Sequence, residues 1–86
     1  MPLFYFNIRK NDANVEDIEG EELPDLGTAT AYAEESILAM VAEQLKAKSS
    51  VDVYGIEITN AEKKVIAVVS TGEVLPKVIP PTILPR

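Results

Sequence analysis

The sequence has no cysteine and no histidine, and its four glycines stand apart at Gly20, Gly27, Gly55 and Gly72. Each absence removes a class of chemistry. Without cysteine there is no disulfide and no thiol nucleophile, and without histidine there is no Ser-His pair and no zinc-activated water of the ordinary kind. Isolated glycines make no phosphate-cradling loop. No run approaches the roughly 20 apolar residues a membrane span needs, and the apolar opening at Leu3 to Phe6 stops at Asn7, Arg9 and Lys10, short of a signal core. The expectation is a non-enzymatic, cytoplasmic protein with no cofactor and no metal.

At 86 residues the chain reads as one domain with a thin core. A domain of this size buries only roughly 60–65 % of its unfolded surface. With disulfides excluded and the commonest metal ligand missing, oligomerisation is the remaining way to reinforce it. The net charge is −6 and uneven: residues 1–43 hold ten acids against Arg9 and Lys10, residues 44–86 four acids against six bases. An acidic half is a poor nucleic-acid binder and suits a basic protein partner.

The apolar pattern gives the elements. "LFYFNIR" (residues 3–9) is a strand with Phe4, Phe6 and Ile8 on the core side and Tyr5 on the other. "KNDAN" is a turn, and residues 15–18 form a short returning strand whose acids blunt a sheet edge. Residues 26–47 follow a helical period. Stepped at about 100° per residue, Ile37, Met40, Ala33, Leu26, Thr30, Val41, Leu45 and Leu38 share one arc, and Tyr32 lies opposite. Asp25 is the expected N-cap, and Pro24 sharpens the start. "VDVYGIEIT" (residues 51–59) is a strand with Tyr54, Ile56 and Ile58 on one face, "NAEKK" a hairpin loop and "VIAVV" (residues 65–69) the last strand. "LPKVIPPTILPR" carries Pro76, Pro80, Pro81 and Pro85 and reads as extended. The result is an α+β domain: a small antiparallel sheet of about four strands in β-β-α-β-β order packed on one long amphipathic helix. Residues 1–72 form the domain and residues 73–86 an extended Pro-rich tail on the same or a neighbouring chain.

"VEDIEGEELPDL" (residues 15–26) holds six carboxylates. A calcium loop of the EF-hand kind needs glycine at its sixth position and glutamate at its twelfth. Counted from Asp12, those positions hold Asp17 and Leu23, so the stretch reads as a solvated edge ending in a helix cap. Glu34 falls inside the apolar arc of the helix. It is a candidate buried carboxylate, handling a proton or paired with Arg9 or a lysine. Tyr5, Tyr32 and the outward side of the last strand (Val65, Ala67 and Val69) form a candidate interaction surface. Val78, Ile79, Ile83 and Leu84 join it, being too apolar for a free tail. The partner expected is a second copy, giving a homodimer, with a basic protein as the alternative; neither nucleic acid nor membrane is expected.

The opening "MPLFYFNIR", the acidic "DIEGEELPD" and the Ala-rich helix resemble a family of small bacterial proteins classed as a domain of unknown function. That family begins MP-x-Y-F-F/H, carries D-x-E-G-x-E-L-P-D before the helix and has F-E-V-T-D in a hairpin. The counterparts here are Met1 to Phe6, Asp17 to Asp25, and Ile56 to Asn60. The resemblance covers roughly residues 1–70 and implies no activity and no site. The family has glycine in the hairpin loop where Lys63 stands, which implies a left-handed backbone there, reached by lysine at a cost of about 1 kcal/mol. "LPDLGTATAYAEESI" is also similar to the helix start of HicB-type antitoxins, acidic proteins that bind small basic toxins. That similarity implies an antitoxin-like regulator as the alternative function.

Overall fold

In the computed structural model the longest strand, β1 (Leu3–Lys10), lies inside the sheet, as its aromatic alternation requires. The structure describes residues 1–78, and side chains as far as residue 76. On one side β1 pairs antiparallel with β4 (Val53–Thr59), which pairs antiparallel with the edge strand β5 (Val65–Ser70). On its other side β1 meets two short strands, β2 (Asn14–Val15) opposite Ile8 and Arg9, and β3 (Glu21–Glu22) opposite Leu3 and Phe4. Among the described residues the sheet is therefore five-stranded.

The helix α1 (Leu26–Lys46) covers one face of the sheet. Asp25 caps it: the carboxylate accepts from the Thr28 N–H at 2.7 Å. The first-turn N–H has no carbonyl partner within the helix, so the acid replaces it. At the other end Lys48 takes φ +56°, its N–H donates to the Leu45 carbonyl and the Ser49 N–H to the Gln44 carbonyl. This is a Schellman closure with lysine where glycine is usual.

Ala29, Ala33, Ile37 and Val41 point from α1 into the core, where small alanines let the helix approach Phe4, Phe6, Ile56 and Ile58 closely. Ile37, Ile56 and Ile58 are almost wholly enclosed; each such side chain contributes about 1.5–3 kcal/mol of burial free energy. Leu26 and Leu45, placed by periodicity on the same arc, lie in the first and last turns of α1 and are exposed.

Two bulges alter the expected faces. Arg9 sits opposite Gly55 and Lys10 opposite Val53, so Tyr54 is an extra residue. The strand's alternation resets there: Val53 turns into the core and Tyr54 is exposed, contrary to the expectation that it shares a face with Ile56 and Ile58. Likewise Ile58 faces Ala67 and Thr59 faces Val65, which leaves Ile66 extra.

The segment after β5 is a second helix, α2 (Thr71–Val78), not extended chain from residue 73. Ser70 and Glu73 start it. The Glu73 N–H donates to Ser70 Oγ at 3.2 Å, and the Ser70 hydroxyl donates to Glu73 Oε1 at 2.8 Å. This S-x-x-E pairing satisfies first-turn groups and is a helix signal. Thr71 is also anchored, its hydroxyl donating to the Val53 carbonyl at 2.9 Å. α2 drives Val74, 2 % exposed, into the core against α1 and β4.

Candidate functional site

Two surfaces remain after the core is closed. The first is a cavity of about 540 Å³ between α1 and the acidic loop. Its floor is the end of the core: Phe6, Ile8 and Ile56. Tyr32 forms one wall, its ring 4.7 Å from that of Phe6 and tilted by 48°. The helical pattern placed Tyr32 away from the core arc; the residue is half-exposed and leans over the sheet margin instead. The opposite rim carries Glu16, Glu19 and Glu21, with Ile18 84 % exposed beside them.

The loop holds this shape through Asp17. On its other flank, between β2 and β3, β1 has no paired strand among the described residues, and Asp17 takes that place. The Phe6 N–H donates to Asp17 Oδ2 at 3.0 Å, the Gly20 N–H to Asp17 Oδ1 at 3.1 Å, and the Asp17 N–H to Asn7 Oδ1 at 3.0 Å. The carboxylate thus replaces a missing strand rung. Gly20 completes the turn at φ +76°, where a Cβ would lie 3.0 Å from the Phe4 carbonyl oxygen. One of the six acids is therefore a structural brace, which charge counting alone did not reveal; the D-x-x-G spacing is its visible sign. Among the described residues, no group of three or more acidic side chains is placed to hold a metal ion. The Ser36 hydroxyl in the same wall is engaged by the Tyr32 carbonyl at 2.9 Å. Apolar floor and carboxylate rim together suit a cationic side chain with an aliphatic stem.

The second surface is the sheet face away from α1, continuing onto the edge at β5. Its polar part is Arg9 and Glu57, joined at 2.5 Å; the hydrogen bond to Glu57 holds the Arg9 guanidinium above its ordinary pKa. Arg9 thus pairs with Glu57, whereas Glu34 is half-buried on α1 near β5, bordering a small cavity with Val68, Val69 and Glu73. Tyr5 lies opposite Thr59, and the Lys63 ammonium stands 3.4 Å from the Tyr5 ring centroid. Thr59 is buried with a hydroxyl that finds no partner among the described residues.

The apolar positions of β5 differ from those expected. Val69, opposite Ile56, is in the core at 6 % exposure, and Ala67, opposite Ile58, packs against it. Both are removed from the candidate surface, because their partners on β4 are core residues. Val65 stays exposed, and the sequence reading missed Ile66, Val68 and Tyr54, at 39, 60 and 53 %. The bulges account for Tyr54 and Ile66, and the core-facing pairing of Val69 with Ile56 accounts for Val68. Tyr5 is half-buried, Val78 ends α2, and Ile79, Ile83 and Leu84 lie outside the described residues.

Among the described residues no helix is long and apolar enough to cross a membrane. The profile of a protein family described as a domain of unknown function (DUF6894) matches residues 3–72. No curated protein matches the chain. No solved structure matches it either.

Proposed function

We propose, from the premise that the chain belongs to the DUF6894 family, that it is a non-catalytic protein that works through protein–protein contact and associates with itself as a homodimer. The observation that carries this is β5: an edge strand with no charged residue, exposing Val65, Ile66 and Val68. Exposed contiguous apolar surface at a sheet edge is costly for a protein that stays alone. A thin core without disulfides adds a reason to associate. The compartment consistent with a cysteine-free chain is the cytoplasm. Sedimentation equilibrium on the full chain, from low to high micromolar, tests the reading. A concentration-dependent dimer is expected, and a monomer throughout overturns it.

A second reading is favoured by the acidic cavity: a regulator that receives a small basic protein. The Glu16, Glu19 and Glu21 rim over an apolar floor supports it. A peptide of alternating lysine and leucine, titrated by NMR, is expected to shift Ile18, Tyr32 and Phe6, with affinity falling as salt rises. Shifts spread evenly over the acidic surface count against it.

A further inference from the structure

We infer that β5 itself is the seam of the dimer: two copies pair antiparallel along this strand, about a two-fold axis at Val68. The inference rests on the self-association proposed above and specifies its geometry.

Three observations carry it. First, β5 pairs only with β4 among the described strands, so one row of its backbone N–H and C=O groups faces outward. Such a row is completed by another extended chain, not by a helix or a small molecule. Second, the features that ordinarily protect an edge are sparse here. Val65–Ser70 has no charge and no proline. The bulge sits at Ile66, near the start of the strand, and leaves Ala67 to Ser70 in regular register with Ile58 to Gly55.

Third, the flanking charges choose the partner and the direction. The strand is preceded by Lys63 and Lys64 and followed by Glu73. Parallel pairing of two copies sets lysine beside lysine. Antiparallel pairing about Val68 brings Lys64 of each copy to the Glu73 end of the other. Glu34 borders the same end of the strand, in the cavity it shares with Glu73. In this register Val68 faces Val68 of the second copy, and Ala67 faces Val69. Paired residues across an antiparallel seam lie on the same side of the sheet, so the two helical layers lie on one side and the exposed valines on the other. A self-complementary strand with opposite charges at its ends fits a second copy of itself.

The test uses the full chain and two readouts. Sedimentation gives the dissociation constant. Val68→Lys puts two like charges at the axis and is expected to weaken association by about tenfold or more. Lys64→Glu is expected to weaken it by roughly tenfold over the two symmetric contacts, and adding Glu73→Lys to it should restore the constant to within about threefold. Hydrogen exchange is the second readout: alternate amides between residues 66 and 70 gain protection as concentration rises. Circular dichroism melts confirm that each variant is folded. A dimer that ignores all three substitutions, with β5 amides unprotected, overturns this inference and leaves the self-association reading standing. A monomer at every concentration overturns both. A monomer whose β5 amides become protected only on adding another protein's extended peptide overturns it in favour of a heterologous strand.

Discussion

Lys63 is held in a left-handed conformation by the loop around it, and its side chain returns part of the cost. The turn from Asn60 to Lys64 is closed by two backbone hydrogen bonds, Asn60 N–H to the Lys64 carbonyl at 3.0 Å and Lys63 N–H to the Asn60 carbonyl at 2.9 Å. Asn60 Oδ1 accepts from the Glu62 and Lys64 N–H groups at 3.0 Å each. Lys63 therefore stays at φ +66°. For a residue with a Cβ that conformation costs about 1–2 kcal/mol. Replacing it with glycine removes the strain, and the freer unfolded chain takes back about 0.4–1 kcal/mol. Glycine also loses the ammonium over Tyr5, worth about 0.5–1 kcal/mol at an exposed site. The three contributions nearly cancel. Lys63→Gly alone should fall within about 0.5 kcal/mol of the parent, less stabilising than backbone strain by itself implies. In a Tyr5→Leu background the same change should stabilise by about 0.5–1 kcal/mol more, because no ring remains to lose. Urea titration of the four proteins, with equal slopes, measures this coupling. A coupling of zero means the ammonium-ring contact has no energetic weight. A Lys63→Gly loss well above 1 kcal/mol means the strain estimate is wrong.

Asp17→Ala leaves the Phe6 and Gly20 N–H groups without their acceptor and should lower stability by about 1–3 kcal/mol, read by urea unfolding. Gly55→Ala puts a methyl group 2.9 Å from the Val69 carbonyl oxygen, backbone against backbone, and should cost about 1–3 kcal/mol by the same assay. The hydrogen bonds from Thr28 hold the Asp25 carboxyl below its ordinary pKa. Its contribution is therefore present above the unfolded value near 3.9 and lost as pH falls through the folded one. Melts from neutral pH downward should show Asp25→Ala less stable than the parent at neutral pH, with the gap closing in acid.

The long elements were legible because each carries many residues voting for one period. Ala33, Ile37 and Val41 recur at helical spacing and are all buried. Phe4, Phe6 and Ile8 alternate and do face the helix. Asp25 was legible because it answers to a local capping rule, and Lys63 because the family the sequence resembles has glycine at that place in the loop. What escaped depends on pairing between distant segments. The outward residues of β5 follow from which β4 residue faces them, and a single inserted residue at Ile66 reverses that assignment for Val65 relative to Ala67 and Val69. The Asp17 brace needs Phe6 and Asn7, ten or so positions away in sequence. α2 was hidden behind Pro76 and the prolines that follow it in sequence: composition pointed to extended chain, while the capping pair Ser70 and Glu73 and the anchoring of Thr71 decided the conformation. The acidic cavity follows from Tyr32 leaning over the sheet margin, which no helical wheel displays.

The brace at Asp17 also sets a valency. Along the far side of β1 the outward hydrogen-bonding groups are consumed by two-residue strands and by one carboxylate, all within the same chain. Among the described residues that flank offers only the two-residue outer edges of β2 and β3, while the other flank offers the six residues of β5. A molecule with a single sticky margin can join one neighbour and then has nothing left to offer. Loosening the brace would give it a second margin, and a chain with two margins can add copies without limit. On the self-association proposed above, the Asp17 brace would be what limits an assembly to two molecules, and its loss would show as a failure to stop.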